Sequence, residues 1–330
     1  MFPTSTQRKH WMFSSEEELN SLRENANSRH ILTYGRNMNE ATKLAYFLNP
    51  EEEKTMVKRF ENHLKDFCKR FQPPMPKCVM GTAFHYFKRF YIKNSVMNYH
   101  PKEIMVTCIY LACKVDEFNV SIQQFVANIK GDRDKATDVI LNNELLLMEQ
   151  LNFHLSIHNP FRPAEGLLID IKTRGSLHDP ERLRPGIDQF LDRVFLTDAI
   201  LLYSPSQVAL AAILHAASKL QENLDSYVTE ILFAKGGTDK LHILIDAVRA
   251  IRSMEKTAGT MPDKNVIKML DKKLDKCRNP ENNPDSDIYK KKMQAMLDED
   301  DDVYAAISSQ NQLRDESALN MSIPASPDGA

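Results

Sequence analysis

The stretch His100-Pro101-Lys102-Glu103-Ile104-Met105-Val106-Thr107-Cys108-Ile109-Tyr110-Leu111-Ala112-Cys113-Lys114-Val115-Asp116-Glu117-Phe118 decides the fold. From Ile104 to Cys113 it carries no charge, and Thr107 is its one aliphatic hydroxyl. At helical period such a segment is apolar on every face, and a helix apolar all round is buried among other elements. It is too short to span a membrane, and Lys114, Asp116 and Glu117 follow at once. It therefore reads as the central helix of a bundle, with charge appearing only where the helix emerges.

A near-copy lies 104 residues downstream: Tyr99, Pro101, Ile104, Ile109 and Ala112 correspond to Tyr203, Pro205, Val208, Ile213 and Ala216. Val208 to Ala217 is again apolar apart from His215. Two buried helices in one register mean two copies of one helical domain, and the period is domain-sized, so the chain is a tandem duplication. Its 330 residues suit two domains. Scarce glycine, rare alternation and apolar spacing of three and four argue for an all-α fold. A formal net charge of −2 implies no bulk attraction to nucleic acid or membrane. Five cysteines, mostly in apolar helical settings, read as reduced core thiols of an intracellular protein. No signal peptide is apparent.

The chain divides as follows. Residues 1–50 form an N-terminal extension with one amphipathic helix, started by Ser14-Ser15-Glu16-Glu17-Glu18 and carrying Leu19, Leu22 and Ala26 on one face; residues 30–49 read as a connector. The first repeat covers 51–159, with helices expected at 51–71, 77–95, the central stretch, 122–129 and 134–153. Asn159-Pro160-Phe161-Arg162-Pro163 is the hinge. The second repeat, 160–258, follows the same order, with helices at 161–174, 180–203, 205–220, 225–233 and 239–257, and Pro185-Gly186 delaying or kinking the second. A C-terminal helix fills 259–279, and 280–330 reads as a largely disordered acidic and polar tail with a turn or two of helix near Met293. Ser5 and Ser326 are candidate phosphorylation sites in the two tails.

Glu144 is the most informative single residue. Its helical neighbours Ile140, Leu141, Leu147 and Met148 are all apolar. A carboxylate in such a stripe is costly unless paired, and Lys114, just past the central helix, is its natural partner. The second repeat has Ser218 in place of Lys114, so only the first repeat carries the pair. The competing reading has Lys114 snorkelling at a helix end and Glu144 on a helix edge. Lys-Arg-Phe occurs at 58–60, 69–71 and 88–90. Basic and aromatic interleaving can mark nucleic-acid binding, but phenylalanine facing the core with Lys-Arg facing water on three amphipathic helices is the simpler reading. There is no glycine-rich phosphate loop and no Cys-x-x-Cys, and Leu155 follows His154 where a zinc-protease helix needs glutamate. His154 and His158 thus read as structural, and a non-catalytic protein without cofactor or metal is expected.

Leu111-Ala112-Cys113-Lys114-Val115-Asp116-Glu117-Phe118 and Asn143-Glu144-Leu145-Leu146-Leu147, set in two five-helix repeats, resemble the cyclin family with its two cyclin boxes. Arg8-Lys9-His10-Trp11, Tyr86-Phe87-Lys88-Arg89-Phe90-Tyr91, Asn94-Ser95-Val96-Met97, Gln150-Leu151-Asn152-Phe153-His154-Leu155 and Tyr203-Ser204-Pro205-Ser206-Gln207 sharpen the likeness to the cyclin subunit of the CDK-activating kinase. The resemblance spans residues 5–255 and fades in the tail. It implies a nuclear regulatory subunit whose partners are cyclin-dependent kinase 7, a RING-finger assembly factor and transcription factor IIH, with RNA polymerase II as a phosphorylation target. It also implies that Lys114 and Glu144 hold the αC helix of the kinase, with Phe118 and Leu147 supplying apolar contact. Breaking either charge in the complex should cost roughly 3–5 kcal/mol. Residues 51–60 lack the Met-Arg-Ala-Ile-Leu patch of substrate-docking cyclins, so no such docking is expected there. Two alternatives stay open: a transcriptional cyclin for another kinase, and a cyclin-box transcription factor whose basic helix faces bind phosphates in a salt-dependent way.

Overall fold

The computed structural model describes residues 1–295 apart from 176, 178, 234–237 and 259–262, and the side chains of 238 and 239. Among the described residues the regular elements are helices. Four precede the first repeat or open it: α1 (Thr6–His10), α2 (Glu16–Tyr34), α3 (Glu40–Tyr46) and α4 (Pro50–Arg70). The first repeat continues with α5 (Lys77–Lys93), α6 (Pro101–Val115), α7 (Ile122–Val126) and α8 (Arg133–Gln150). The second contains α9 (Phe161–Arg174), α10 (Arg184–Val194), α11 (Ala199–Leu202), α12 (Pro205–Lys219), a π-helical turn (Tyr227–Leu232) and α13 (Thr238–Thr257), and α14 (Lys264–Cys277) follows. Asn279–Ala330 forms a separate unit, with a 3₁₀ turn at Pro280–Asn282 and a helix over 287–295. Ser326 lies outside the described residues.

The two all-round apolar stretches are the centres of their repeats. Every residue of α6 from Ile104 to Cys113 is buried, and α5, α8 and α4 pack around it. α12 is enclosed by α10, α13 and α9 in the same way. Both start on proline at the first helical position, where its missing N–H costs nothing. His100 caps α6 by accepting from Lys102 N at 3.1 Å, whereas Ser204 and Gln207 form a reciprocal capping box on α12.

The structure departs from the sequence reading in three places. The N-terminal helix runs on to Tyr34, and α3 occupies the supposed connector, because Asn39 caps a new helix by accepting from Thr42 N at 2.8 Å. The expected helix over 180–203 is divided into a 3₁₀ turn (Pro180–Leu183), α10 and α11; Pro185 falls in the first turn of α10 and cannot continue a preceding helix. At 88–90 the basic pair does not face water: Lys88 and Arg89 are as buried as Phe90.

Lys88 belongs to a buried network that joins the N-terminal helix to both repeats. Its Nζ lies 2.6 Å from Glu61 on α4 and 3.6 Å from Asp198 before α11. Arg23 on α2 grips both oxygens of Asp198 at 2.7 and 2.9 Å. Burial alone would raise the Asp198 carboxyl, yet Lys88 and Arg23 hold it well below its ordinary range. Burial pushes the Glu61 carboxyl up, against the pull of Lys88. Arg89 meets the N-terminal segment: its guanidinium stacks 5.0 Å over Trp11, and Nη1 donates to His154 O at 3.2 Å. Trp11 Nε1 donates to His154 Nδ1 at 3.0 Å, and Phe13 N donates to Leu201 O at 2.9 Å. The segment expected to be a tail is thus docked on both repeats.

At the hinge, Asn159 donates to Cys78 O at 3.1 Å and Thr82 Oγ1 at 3.2 Å. This contact depends on Gly81, where an added Cβ would stand 2.4 Å from Asn159 Oδ1 and 3.1 Å from the Phe195 ring. Gly81→Ala is therefore expected to cost about 1–3 kcal/mol through overpacking. A thermal melt indistinguishable from wild type would contradict this account of the hinge.

Candidate functional site: the mouth of the first repeat

Lys114 is the first charged side chain as α6 leaves the core. Its Nζ donates to both oxygens of Glu144 on α8, at 2.7 and 2.8 Å. The same ammonium lies 4.8 Å over the ring of Tyr110, one helical turn back, and Tyr110 is itself fixed edge-on against Phe125. The Lys114 side chain is 46% exposed and that of Glu144 is 15% exposed. Glu144 thus sits at the border of the apolar stripe and not within it. In the free chain a pair of this exposure contributes only about 0–1 kcal/mol. The lysine fork and the carboxylate remain able to bind the polar ends or backbone of a partner helix.

Around the pair the apolar residues fall differently from expectation. α8 presents two faces. Val139, Ile140 and Leu147 point inward, and Leu147 is 0% exposed, so it braces the helix from inside and is not available to a partner. Leu141 and Leu145, 47% and 60% exposed, flank Glu144 on the outside instead. Phe118 is half-buried against Phe71, brought back by a left-handed Glu117 (φ 57°) and a Phe118 N to Cys113 O bond of 2.9 Å. The sequence shows α8 to have more leucines than one face needs, but not that Leu141 and Leu145 are the exposed ones. Ser5 is the N-cap of α1, its Oγ accepting from Arg8 N at 3.2 Å and donating to Phe2 O at 2.7 Å.

Two five-helix repeats joined by a short hinge, with a Lys–Glu pair at the mouth of the first alone, define the class. Family profiles for the cyclin N-terminal domain match residues 30–156, and for the cyclin C-terminal domain residues 159–256. The chain belongs to the cyclin family. Within it, the chain is 47% identical to cyclin-H of Xenopus laevis over 286 residues, covering 85% of this chain and 88% of that protein. The fold is similar to a chain of the CAK complex from Chaetomium thermophilum bound to ATP-gamma-S, with TM-score 0.74, 25% identity and coverage of 99% and 98%. It is similar too to a chain of the yeast TFIIK (Kin28/Ccl1/Tfb3) complex, with TM-score 0.60, 26% identity and coverage of 76% and 99%.

Proposed function

We propose that this chain is the non-catalytic regulatory subunit of cyclin-dependent kinase 7 and activates it by seating its αC helix. The observation that carries the reading is the Lys114–Glu144 pair, oriented by Tyr110 and rimmed by exposed Leu141 and Leu145. An exposed apolar rim around a fixed charge pair fits a helix-binding surface. An active kinase pairs its αC glutamate with the lysine that holds ATP phosphates. A subunit that binds the turned-in helix better than the turned-out one shifts that equilibrium, and moving it from about 1% to about 99% active takes roughly 5.5 kcal/mol of differential affinity. An interface of about 2,000 Å² is of the right class to provide it. The likeness to cyclin-H and to chains of CAK and TFIIK complexes supports assembly with a RING-finger factor into transcription factor IIH, nuclear residence, and phosphorylation of other kinases and of RNA polymerase II. The nucleic-acid reading loses one of its three basic patches, because Lys88 and Arg89 are buried.

The test is the activity of purified cyclin-dependent kinase 7 with and without the chain, beside Lys114→Ala and Glu144→Ala. Wild type should stimulate the kinase. Each variant should keep its melting temperature within a degree or two, since the pair is weakly stabilising in isolation, yet bind the kinase roughly 30-fold or more weakly once the partner charge is buried unpaired. Variants that stimulate as well as wild type would remove the pair from the mechanism. Absence of binding, with salt-sensitive retention on DNA, would favour the transcription-factor reading.

A further inference from the structure

Among the described residues, the duplication leaves one groove covered by a helix and its counterpart without one. In the first repeat α14 lies along α4 and reaches the first turn of α6. Asp271 pairs with Arg59 at 2.5 Å, Lys273 with Glu52 at 2.7 Å, and Arg278 with both oxygens of Glu103 at 2.7 Å. Leu270, Leu274 and Cys277, at spacings i, i+4 and i+7, are its buried residues. The 104-residue register that aligns Tyr99 with Tyr203 also carries Arg59 to Pro163 and Glu103 to Gln207. In the second repeat these two residues, with Gly166, Leu167 and Leu210, line a groove between α9 and α12 that the π-helical turn (Leu232) and α13 (Leu244) border on the far side. No described element of the second repeat lies over it as α14 lies over the first.

The groove's chemistry says what it takes. Of the three charged residues that clamp α14, Arg59 and Glu103 give way to neutral Pro163 and Gln207 in the groove, and Leu167 and Leu210 stand beside them. Asp170, the acid at the edge, is already held by Arg174 at 2.6 Å and by Tyr227 Oη at 2.6 Å, so no cation is called for. Gly166 lies mid-helix in α9, where glycine costs about 1 kcal/mol relative to alanine. A Cβ there would meet nothing within 4 Å, so no contact among the described residues accounts for it. An incoming backbone that approaches closely at this point would. We propose that this groove docks an amphipathic helix of a partner protein. That helix carries aliphatic side chains at i, i+4 and i+7, a small residue over Gly166, and neutral residues facing Pro163 and Gln207. It lies as α14 lies in the first repeat.

The probe is a fluorescein-labelled alanine/glutamine helix of about 18 residues, long enough to be helical, with leucines at i, i+4 and i+7. Saturable anisotropy binding to the full chain is expected. Gly166→Arg, whose side chain enters open space and whose helix propensity is higher, should weaken binding at least tenfold at an unchanged melting temperature. If that variant melts early, Pro163→Glu replaces it, with the same expectation. The proposal fails if the peptide does not bind, if a leucine-to-alanine peptide binds equally, or if Gly166→Arg and Pro163→Glu bind like wild type. Self-association of the chain abolished by Gly166→Arg would make a second copy the occupant and likewise overturn it. Kinase stimulation does not enter this readout, so the outcome is independent of Lys114 and Glu144.

Discussion

Lys88→Ala is expected to destabilise the chain by about 3–5 kcal/mol, lowering its melting temperature by roughly 10 °C. Lys88 is buried and its Nζ lies 2.6 Å from Glu61, also buried. Removing the ammonium leaves that carboxylate without its nearest cation in a place water does not reach. Glu61 then folds only by taking up a proton, so the deficit should shrink as pH falls toward the ordinary glutamate range. Asp198 keeps Arg23 and should be affected less. The double variant Lys88→Met, Glu61→Leu removes both charges and should recover most of the loss, since a buried pair is often replaceable by apolar residues of similar volume. Urea unfolding of wild type and the two variants across pH checks this. A loss below about 1 kcal/mol for Lys88→Ala, or a double variant worse than the single, would show that the pair is not the desolvated contact described here.

Glu53→Gln should stabilise the chain above pH 7 and leave it unchanged near pH 4.5. Glu53 is buried on α4, where Asn27 of α2 donates to Oε1 at 3.1 Å and Ser95 donates at 2.5 Å. Burial pushes its carboxyl from an ordinary 4.5 up to about 7, with Ser95, Asn27 and Val96 N–H opposing the rise. Between those two values the folded chain binds a proton that the unfolded chain has lost. Stability from this group is therefore complete below pH 4.5 and declines as pH rises through 7. Above pH 7 the deficit levels off at about 3 kcal/mol. Glutamine keeps a neutral side chain at every pH, so the difference in melting temperature between variant and wild type should grow from nothing at pH 4.5 to several degrees at pH 8. A pH-independent difference would mean that Glu53 titrates normally.

Much of the architecture was legible because its signals are local. A segment with no polar face has to be central, and a second such segment in the same register has to be a second domain; α6 and α12 needed no more than that. Lys114 and Glu144 were legible for a related reason: a lysine at the end of a buried helix and a glutamate beside an apolar stripe each need a partner, and each is the other's nearest candidate. Leu147, which the resemblance implied as a contact residue, is buried in the free chain. Periodicity shows that a helix has more leucines than one face needs, but not which of them faces the core. Leu147 went inside, and Leu141 and Leu145 stayed out.

The Lys-Arg-Phe triplets mark the limit. At 69–71 the basic pair is exposed and at 88–90 it is buried, although the three residues are the same. What differs is what stands opposite: Glu61 and Asp198 for Lys88, Trp11 and the His154 carbonyl for Arg89, all brought by other elements. The sequence by itself determined the two central helices, the duplication and the Lys–Glu pair, because burial and helical period are properties of neighbouring residues. Tertiary structure alone decided that α14 covers the first groove while no described helix covers the second, and that Lys88 is an internal cation. Both depend on which distant surfaces meet, and helical period is a property of neighbouring residues that does not extend to them.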